Sequence, residues 1–312
     1  MTYRELMIEG KDRLKQSGIE EADLEAKLIL EYVCGTDRNY LLAHGDEELS
    51  IIESGHDKKE EYLELIEKRK KHIPLQHLTG KQCFMGLDFQ VNDKVLIPRQ
   101  DTEILVEEVL KELHDGMKIL DLCTGSGCIL ISLLTYSNNC PGMGTDLSEE
   151  ALSVAQGNAE DVLRGRYKVR KNLESDDGVL GISGEKEGFF PVDEPEVGFL
   201  KSDLFEKIHG KYDIIVSNPP YIRSSVISTL EPEVREHDPL LALDGGEDGL
   251  FFYRKIINEA PAHLNGGGKL YFEIGYDQAY EVGKMMEKAD FREITVVKDY
   301  AGLDRVVYGT HL

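Results

Sequence analysis

The fold prediction starts from the run Lys118-Ile119-Leu120-Asp121-Leu122-Cys123-Thr124-Gly125-Ser126-Gly127. Its first half is a short apolar segment typical of a buried strand, and an apolar helix pattern follows over residues 128–134. Glycines between a strand and a helix let the backbone turn sharply and approach a ligand, and the helix start offers free amides to an anion. The run therefore predicts a ligand-binding strand-turn-helix unit, although a tight turn without a ligand would explain it when it is taken alone.

Strands and helices alternate on the carboxyl-terminal side of this run. Strand patterns recur at residues 142–146, 212–217 and 269–274, and helix patterns at 103–113, 149–162, 249–264 and 276–287; residues 295–308 predict two strands around Gly302. Such alternation indicates a parallel sheet covered by helices, a doubly wound Rossmann-like α/β fold. In this fold, ligands bind beyond the carboxyl ends of the strands.

An acidic residue stands at the end of the next predicted strand. Asp146 follows Asp121 by 25 positions, where a carboxylate can accept the hydroxyls of a ribose. Leu130 occupies the place of the third glycine in the dinucleotide fingerprint, so that fingerprint is incomplete. Together the turn and Asp146 predict an adenosine-type cofactor.

A second strand end carries the tetrad Asn218-Pro219-Pro220-Tyr221, directly after the apolar run 213–217. The two prolines fix the backbone, and the Pro219 carbonyl and the Asn218 side-chain oxygen can both accept from one NH2 group. Tyr221 can stack on the flat face of an amide or a base. The tetrad thus predicts a site for a planar nitrogen that carries two hydrogens.

The residues before the sheet are predicted to form two other parts. Residues 1–73 show helical spacing, with a Thr2/Glu5 capping box, a helix over 22–34 ended by Gly35, and a segment from about 50 to 71. Residues 74–97 contain two short extended runs around Gly86 and predict a β-hairpin linker. The predicted domains are 1–73, the linker 74–97, and 98–312.

Composition limits the classes of protein and partner. The 312 residues carry a net charge of -23, which disfavours a protein that grips nucleic acid through many phosphates and favours a basic protein partner. No apolar run approaches the roughly 20 residues that cross a bilayer, and the early acidic residues do not suit a secretory signal. Five scattered cysteines suit reduced thiols, and no metal site is expected. A cytoplasmic protein without membrane contact is predicted.

The motifs resemble those of class I S-adenosylmethionine-dependent methyltransferases that act on exocyclic or amide nitrogens. Four further segments resemble the release-factor glutamine methyltransferases, the PrmC or HemK family: residues 74–80, 95–103, 231–249 and 299–305. The resemblance covers nearly the whole chain, including the helical part that in this family helps to hold the release factor. It implies methylation of the side-chain nitrogen (N5) of the glutamine in the Gly-Gly-Gln motif of peptide-chain release factors, with S-adenosylhomocysteine as the other product. A monomer without direct nucleic-acid contact is expected.

The resemblance also implies residue roles. Cofactor binding falls to Cys123, Thr124, Gly125, Ser126 and Gly127 at the methionine end, Asp146 at the ribose, Asp203 and Leu204 at the adenine, and Asn218; substrate binding and catalysis fall to Asn218, Pro219, Pro220 and Tyr221. Arg99 lies near the same cleft, either as a ligand contact or as an ion-pair partner of Glu103.

The sequence departs from the family pattern at two places. Cys123 stands where the family commonly has glycine, an exchange that preserves the turn only if the Cys123 backbone is not left-handed. Residues 172–198 hold eight acidic residues, one basic residue and five glycines where the family has a short connection. This composition predicts an exposed loop, either a tolerated insertion or an acidic arm that attracts a basic release factor.

Other functions share parts of this pattern. A ribosomal-protein glutamine methyltransferase would use nearly the same residues, and an adenine or guanine amino methyltransferase acting on nucleic acid would use the same tetrad. A nucleotide-binding module without enzymatic activity would share the glycine turn but has no use for Asn218 to Tyr221.

Overall fold

A computed structural model describes residues 1–49, 57–171, 173–176 and 195–312. The chain divides into two compact units. The first comprises Met1–Lys81 and Glu231–His237, and the second comprises Gln82–Leu230 and Asp238–Leu312.

The first unit is helical. Its elements are α1 (Tyr3–Gln16), α2 (Ala22–Cys34), α3 (Arg38–Ala43), α4 (Lys58–Arg69), α5 (Leu75–Thr79) and the later segment α10 (Pro232–His237). The predicted capping box is confirmed, since the Thr2 hydroxyl accepts from the Glu5 amide and the Glu5 carboxylate accepts from the Thr2 amide. The predicted helix over 22–34 ends at Gly35 in the left-handed conformation, as expected. Of the helix predicted from about residue 50, residues 50–56 lie outside the described residues, and α4 begins after Asp57, whose side chain caps it.

A buried ion cluster holds the core of this helical unit together. The Arg69 side chain on α4 pairs with the Glu25 carboxylate of α2, donates to the Ile73 carbonyl at 3.2 Å, and reaches Glu233 on α10 at 2.7 Å. Arg69 and Glu25 are almost fully covered, whereas Glu233 is one-third exposed. A buried arginine is tolerated because its donors meet carboxylates and a carbonyl.

The second unit begins with the hairpin and continues into the sheet. Strands β1 (Lys81–Phe84) and β2 (Leu87–Gln90) pair through a turn at Met85 and Gly86, both with positive φ. This is the two-residue geometry whose twist matches a hairpin. The β-hairpin predicted within residues 74–97, around Gly86, is confirmed.

The main sheet has the strand order β5-β6-β4-β3-β7-β8-β10-β9. Its strands are β3 (Ile119–Leu122), β4 (Gly142–Asp146), β5 (Lys168–Arg170), β6 (Glu196–Lys201), β7 (Tyr212–Ser217), β8 (Leu264–Glu273), β9 (Phe291–Lys298) and β10 (Asp304–His311). Neighbours from β5 to β8 run parallel, while β10 pairs antiparallel with both β8 and β9. The doubly wound α/β prediction is confirmed. Strands β5 and β6 are additions to the predicted strand patterns, and the mixed polarity of the short β5 concealed it.

Helices cover both faces of the sheet with apolar side chains. They are α6 (Asp101–Leu110), α7 (Cys128–Tyr136), α8 (Glu149–Val162), the short α9 (Ser224–Ile227) and α11 (Leu240–Leu243), α12 (Phe251–His263) and α13 (Ala279–Lys288). One core gathers α6, α7 and α8 with the hairpin, and another gathers α12 and α13. None of the helices in the described residues has the length and apolar character that a membrane span requires.

The sheet topology places a switch point at β3. One neighbour of β3 is β4, beyond which lie β6 and β5. The other neighbour is β7, beyond which lie β8, β10 and β9. Loops at the carboxyl ends of β3, β4 and β7 therefore diverge, and a crevice opens between them.

Candidate active site

A cavity of about 330 Å³ lies at the carboxyl ends of the parallel strands, in the second unit. It brings together most of the predicted site residues, namely Cys123, Thr124, Gly125, Ser126, Asp146, Asp203, Leu204, Asn218 and Pro220. The predicted residues Gly127, Pro219 and Tyr221 do not line it in the described part of the chain. The glycine turn and the diproline corner thus share one cavity, the arrangement that a reaction between two bound molecules needs.

The glycine turn is built from alternating left-handed residues. Cys123, Gly125 and Gly127 have φ values of 60°, 54° and 79°. The condition set for Cys123, a backbone that is not left-handed, is therefore not met: a residue with a Cβ occupies a conformation that glycine adopts at little cost. A Cβ on Gly125 would meet no atom of the described residues within 4 Å, whereas one on Gly127 would lie 2.8 Å from the Ile131 side chain.

Two carboxylates brace this turn. Asp121, at the middle of β3, accepts from the Thr124 hydroxyl at 2.6 Å. Asp146, at the end of β4, accepts from the Gly125 amide and from the Ser148 amide, each at 3.0 Å. Asp146 thereby fixes the turn and still presents carboxylate lone pairs at the cavity wall.

Burial changes the acidity of both carboxyl groups. It raises the pKa of Asp121 to about 7, against the opposing effect of the Thr124 hydroxyl. Burial also raises the pKa of Asp146, and the amides of Ser148 and Gly125 oppose that rise. Asp121 is fully buried and holds the turn through its bond from Thr124, while Asp146 lines the cavity.

The diproline corner follows β7. Asn218 is half-buried, and its Nδ2 donates to the Thr102 hydroxyl oxygen at 3.4 Å. The Tyr221 hydroxyl donates to Glu273 at 3.3 Å, and the Tyr221 carbonyl accepts from Gln278 at 3.1 Å. Contacts at both ends therefore hold the tetrad in place.

The glycine-rich segment 244–249 packs directly on the tetrad backbone. A Cβ on Gly245 would lie 2.7 Å from the Tyr221 Cα, and one on Gly249 would lie 2.5 Å from the Tyr221 carbonyl oxygen. The Gly245 amide donates to the Ile222 carbonyl at 2.8 Å. Close approach of two backbones explains why glycine stands at these positions.

Arg99 lines the cavity, but its predicted ion pair is wrong. Its guanidinium pairs with Asp238 at 2.6 Å, while Glu103 accepts from the Met85 amide at 2.6 Å. The alternative of a ligand contact stays open, because a cavity-lining guanidinium keeps donors beyond those that Asp238 engages.

Sequence reasoning missed several residues around the cavity. Lining residues that it did not single out include Thr102, Pro239, Leu241, Ala242 and Phe252. Four of them are apolar, and in the sequence such side chains look the same whether they pack in a core or line a cavity; Thr102 belongs to no motif that marks it. Glu273, buried at the end of β8, has a clearer signal: an acidic residue that ends an apolar strand.

The predicted acidic insertion is described only at its two ends. Residues 172 and 177–194 lie outside the described residues. Asp176 is buried and accepts from the His209 and Gly210 amides and the Tyr212 hydroxyl, and β6 already starts at Glu196. The expected exposed loop is thus wrong for Asp176 and for the first residues of β6.

Comparison with known proteins identifies the family. The family model described as the PrmC N-terminal domain matches residues 5–80. The chain is 36% identical to the release factor glutamine methyltransferase of Clostridium botulinum and 37% identical to that of Clostridium acetobutylicum, over 98% of each chain in both cases.

A solved structure described as a release factor-specific protein-(glutamine-N5) methyltransferase, from Alicyclobacillus acidocaldarius, is 29% identical and covers 72% of this chain and 99% of its own. Its TM-score of 0.38 is too low to add to the assignment, which the two full-length relatives establish. By the identity that it shares with them over nearly its whole length, this chain belongs to the release factor glutamine methyltransferase family.

Proposed function

We propose that this protein transfers a methyl group from S-adenosylmethionine to the side-chain amide nitrogen (N5) of the glutamine in the Gly-Gly-Gln motif of peptide-chain release factors. The observation that carries the proposal is the shared cavity, whose wall contains both the glycine turn with Asp146 and the corner with Asn218. We place this activity in the cytoplasm, where release factors act, and in a monomer.

The cavity residues fit an adenosine-type cofactor. The absence of a Cβ at Gly125 leaves open space beside the turn, and the Asp146 carboxylate lies at the end of the neighbouring strand, where it can accept ribose hydroxyls. Asp203 and Leu204, after β6, add a polar and an apolar contact at the wall. We assign cofactor binding to these residues together with Cys123, Thr124, Ser126 and Asn218. Gly127 supports the turn through its packing against Ile131.

The tetrad would hold the target amide. The Asn218 side-chain oxygen at the cavity wall and the carbonyl of Pro219, which stands between the lining residues Asn218 and Pro220, would each accept one hydrogen of the glutamine NH2 group. The two bonds would fix the nitrogen in both position and orientation. Pro220 lines the cavity and keeps the corner rigid. When bound, S-adenosylmethionine supplies a methyl group on a sulfonium centre.

The residues need not remove a proton before transfer. An amide nitrogen is a weak nucleophile because its lone pair is delocalised, and two acceptors on its hydrogens favour a geometry that frees the lone pair. With the cofactor bound, the nitrogen–carbon bond would form as the sulfur–carbon bond breaks, and the nitrogen would then release its proton to solvent. Alignment accounts for most of the expected acceleration.

The protein substrate is favoured over nucleic acid by charge. A net charge of -23 repels a phosphate backbone, while a basic protein surface would be attracted. We propose that the helical residues 1–73, most of which fall in the matched region 5–80, help to hold the release factor, and that 74–97 link them to the methyltransferase domain 98–312.

The test is a transfer assay with methyl-labelled cofactor. Release factor, ribosomal protein and DNA are offered separately, and label is expected on the release-factor glutamine. Label on ribosomal protein or DNA alone would refute the assignment of the substrate.

The role of Asn218 is tested in the same assay. Asn218→Ala should abolish transfer while cofactor binding is largely kept, and Asn138→Ala, an exposed asparagine, serves as the control. Equal loss of transfer and of cofactor binding would show that Asn218 does not hold the substrate amide.

A further inference from the structure

The buried carboxylate of Glu273 lies beside the tetrad for a topological reason. Strands β7 and β8 are parallel neighbours in which Ser217 pairs with Phe272, so Asn218 and Glu273 are the next residues on adjacent strands. The Tyr253 hydroxyl donates to the Glu273 carbonyl at 2.9 Å and fixes this strand end. A carboxyl group with 2% exposure needs partners that compensate its burial.

The partners of Glu273 are donors. The Tyr221 hydroxyl reaches its Oε1 at 3.3 Å. Burial raises the pKa of Glu273, while the Thr102 hydroxyl and the Arg305 guanidinium oppose that rise and favour the ionised form. Burial and the nearby Glu273 also raise the pKa of Tyr221, so its hydroxyl keeps the proton that it donates.

Thr102 connects this carboxylate to Asn218. Thr102 is buried in the first turn of α6, and its oxygen lies 3.4 Å from the Asn218 Nδ2. The second carboxylate oxygen, Oε2, accepts no hydrogen bond among the described residues, while the Thr102 hydroxyl lies close enough to Glu273 to lower the pKa of its carboxyl group. A hydroxyl has one proton, so a threonine that donates to Glu273 can only accept from Asn218.

We propose that Glu273, acting through Thr102, sets the direction of this hydrogen-bond chain and thereby turns the Asn218 amide so that its oxygen, not its NH2 group, faces the substrate. An ionised carboxylate only accepts, Thr102 therefore donates to it, and the Asn218 NH2 group must point at Thr102. The Asn218 oxygen is left for the NH2 group of the target. The inference rests on the proposed function and makes Glu273 and Thr102 positioning residues.

The reversed amide would oppose the reaction. With its NH2 group towards the target nitrogen, Asn218 would present a donor to a donor, and one of the two acceptors would be lost. The Asn218 side chain has nearly the same shape in both orientations, so packing alone selects weakly between them. A directional hydrogen-bond partner is therefore needed to fix the productive one.

The test compares variants that keep shape and change hydrogen bonding. Thr102→Val removes the hydroxyl, and kcat for release-factor methylation should fall about tenfold to a hundredfold, while KM for the release factor and the dissociation constant of the cofactor change less than about threefold. Thr102→Ser restores a hydroxyl and should recover most of kcat. Thr135→Val makes the same change on α7 outside the cavity, where the hydroxyl donates to the Ile131 carbonyl at 2.7 Å, and should behave as wild type.

Glu273→Gln supplies a second and independent arm. A glutamine can donate as well as accept, so it no longer fixes the direction of the chain, and kcat should fall as in Thr102→Val. Combining Thr102→Val with Glu273→Gln should lower kcat little more than either change alone, because both remove the same constraint on Asn218.

The outcomes separate the two proposals. Wild-type protein that labels no release factor would defeat the proposed function. Wild-type protein that is active, together with a Thr102→Val or Glu273→Gln variant whose kcat is unchanged, would overturn the positioning role alone. Multiplied losses in the double variant, or equal losses in Thr102→Ser and Thr102→Val, would overturn it as well.

Discussion

Cys123 in the glycine turn allows the cost of a left-handed backbone to be measured. Its φ of 60° places a Cβ in a conformation that costs about 1–2 kcal/mol for a residue with a side chain. Glycine would avoid this cost but would lose about 0.5–1 kcal/mol more entropy on folding. The net expectation is that glycine is favoured over alanine at position 123 by about 1 kcal/mol.

Two substitutions isolate this difference. Cys123→Gly and Cys123→Ala both remove the thiol and its packing against the neighbouring core, but only alanine keeps the Cβ. In urea unfolding, Cys123→Gly should therefore be more stable than Cys123→Ala by about 1 kcal/mol, and its Tm should be higher by about 2–4 °C.

A neighbouring glycine provides a control for the same effect. Gly125 has φ 54° and open space where a Cβ would stand, so Gly125→Ala should cost about 1 kcal/mol without any steric clash. Equal unfolding midpoints for Cys123→Ala and Cys123→Gly would refute the reasoning, because the left-handed turn would then impose no cost on a Cβ.

Three further predictions concern stability and the tetrad. Because burial raises the pKa of Asp121 from 3.8 to about 7, the folded state binds more protons, so stability should fall as pH rises from about 4 to about 7, by at most about 4 kcal/mol; Asp121→Asn should flatten this fall in urea unfolding. Arg69→Met leaves the Glu25 carboxylate buried without its partner and should cost about 3 kcal/mol in the same measurement. Gly245→Ala drives a Cβ against the Tyr221 backbone and should lower kcat at least about tenfold, with a smaller effect on cofactor affinity measured by calorimetry.

Each of these predictions has a matched comparison. An unchanged pH slope in Asp121→Asn would contradict the assigned pKa. Arg4→Met removes an exposed ion pair with Asp46 and should cost less than about 1 kcal/mol, so equal costs at Arg4 and Arg69 would contradict the burial argument. Gly157→Ala adds a Cβ in open space, and a loss of activity as large as that of Gly245→Ala would exclude the proposed clash.

The sequence predicts the sheet well because buried parallel strands leave a plain signal. Strands β4 and β7 and helix α8 have the predicted bounds; an apolar run marks β7, and a capping serine marks the start of α8. Strand β5 is not predicted because Lys168–Arg170 has only three residues and a charged side chain at each end. Short elements with exposed edges carry too few buried side chains to show a period.

The site is predictable only in part. The glycine turn and the tetrad are local motifs, so their residues can be named from the chain alone. The partner of Arg99 is 139 positions away, and the contact between Thr102 and Asn218 spans 116 positions, so neither follows from local spacing. The positive φ of Cys123 is equally hidden, because a cysteine carries no signal of the left-handed conformation.

The helical unit is discontinuous in sequence, which has a consequence for how it is completed. Glu233 approaches Arg69 from 164 positions later in the chain, within the segment Glu231–His237. During synthesis the amino-terminal helices emerge long before that segment does. Until it follows, Arg69 lacks its Glu233 partner. A fragment that stops at Lys81 would lack the segment Glu231–His237 of its own compact unit, and adding residues 231–237 as a separate peptide is the direct way to supply it.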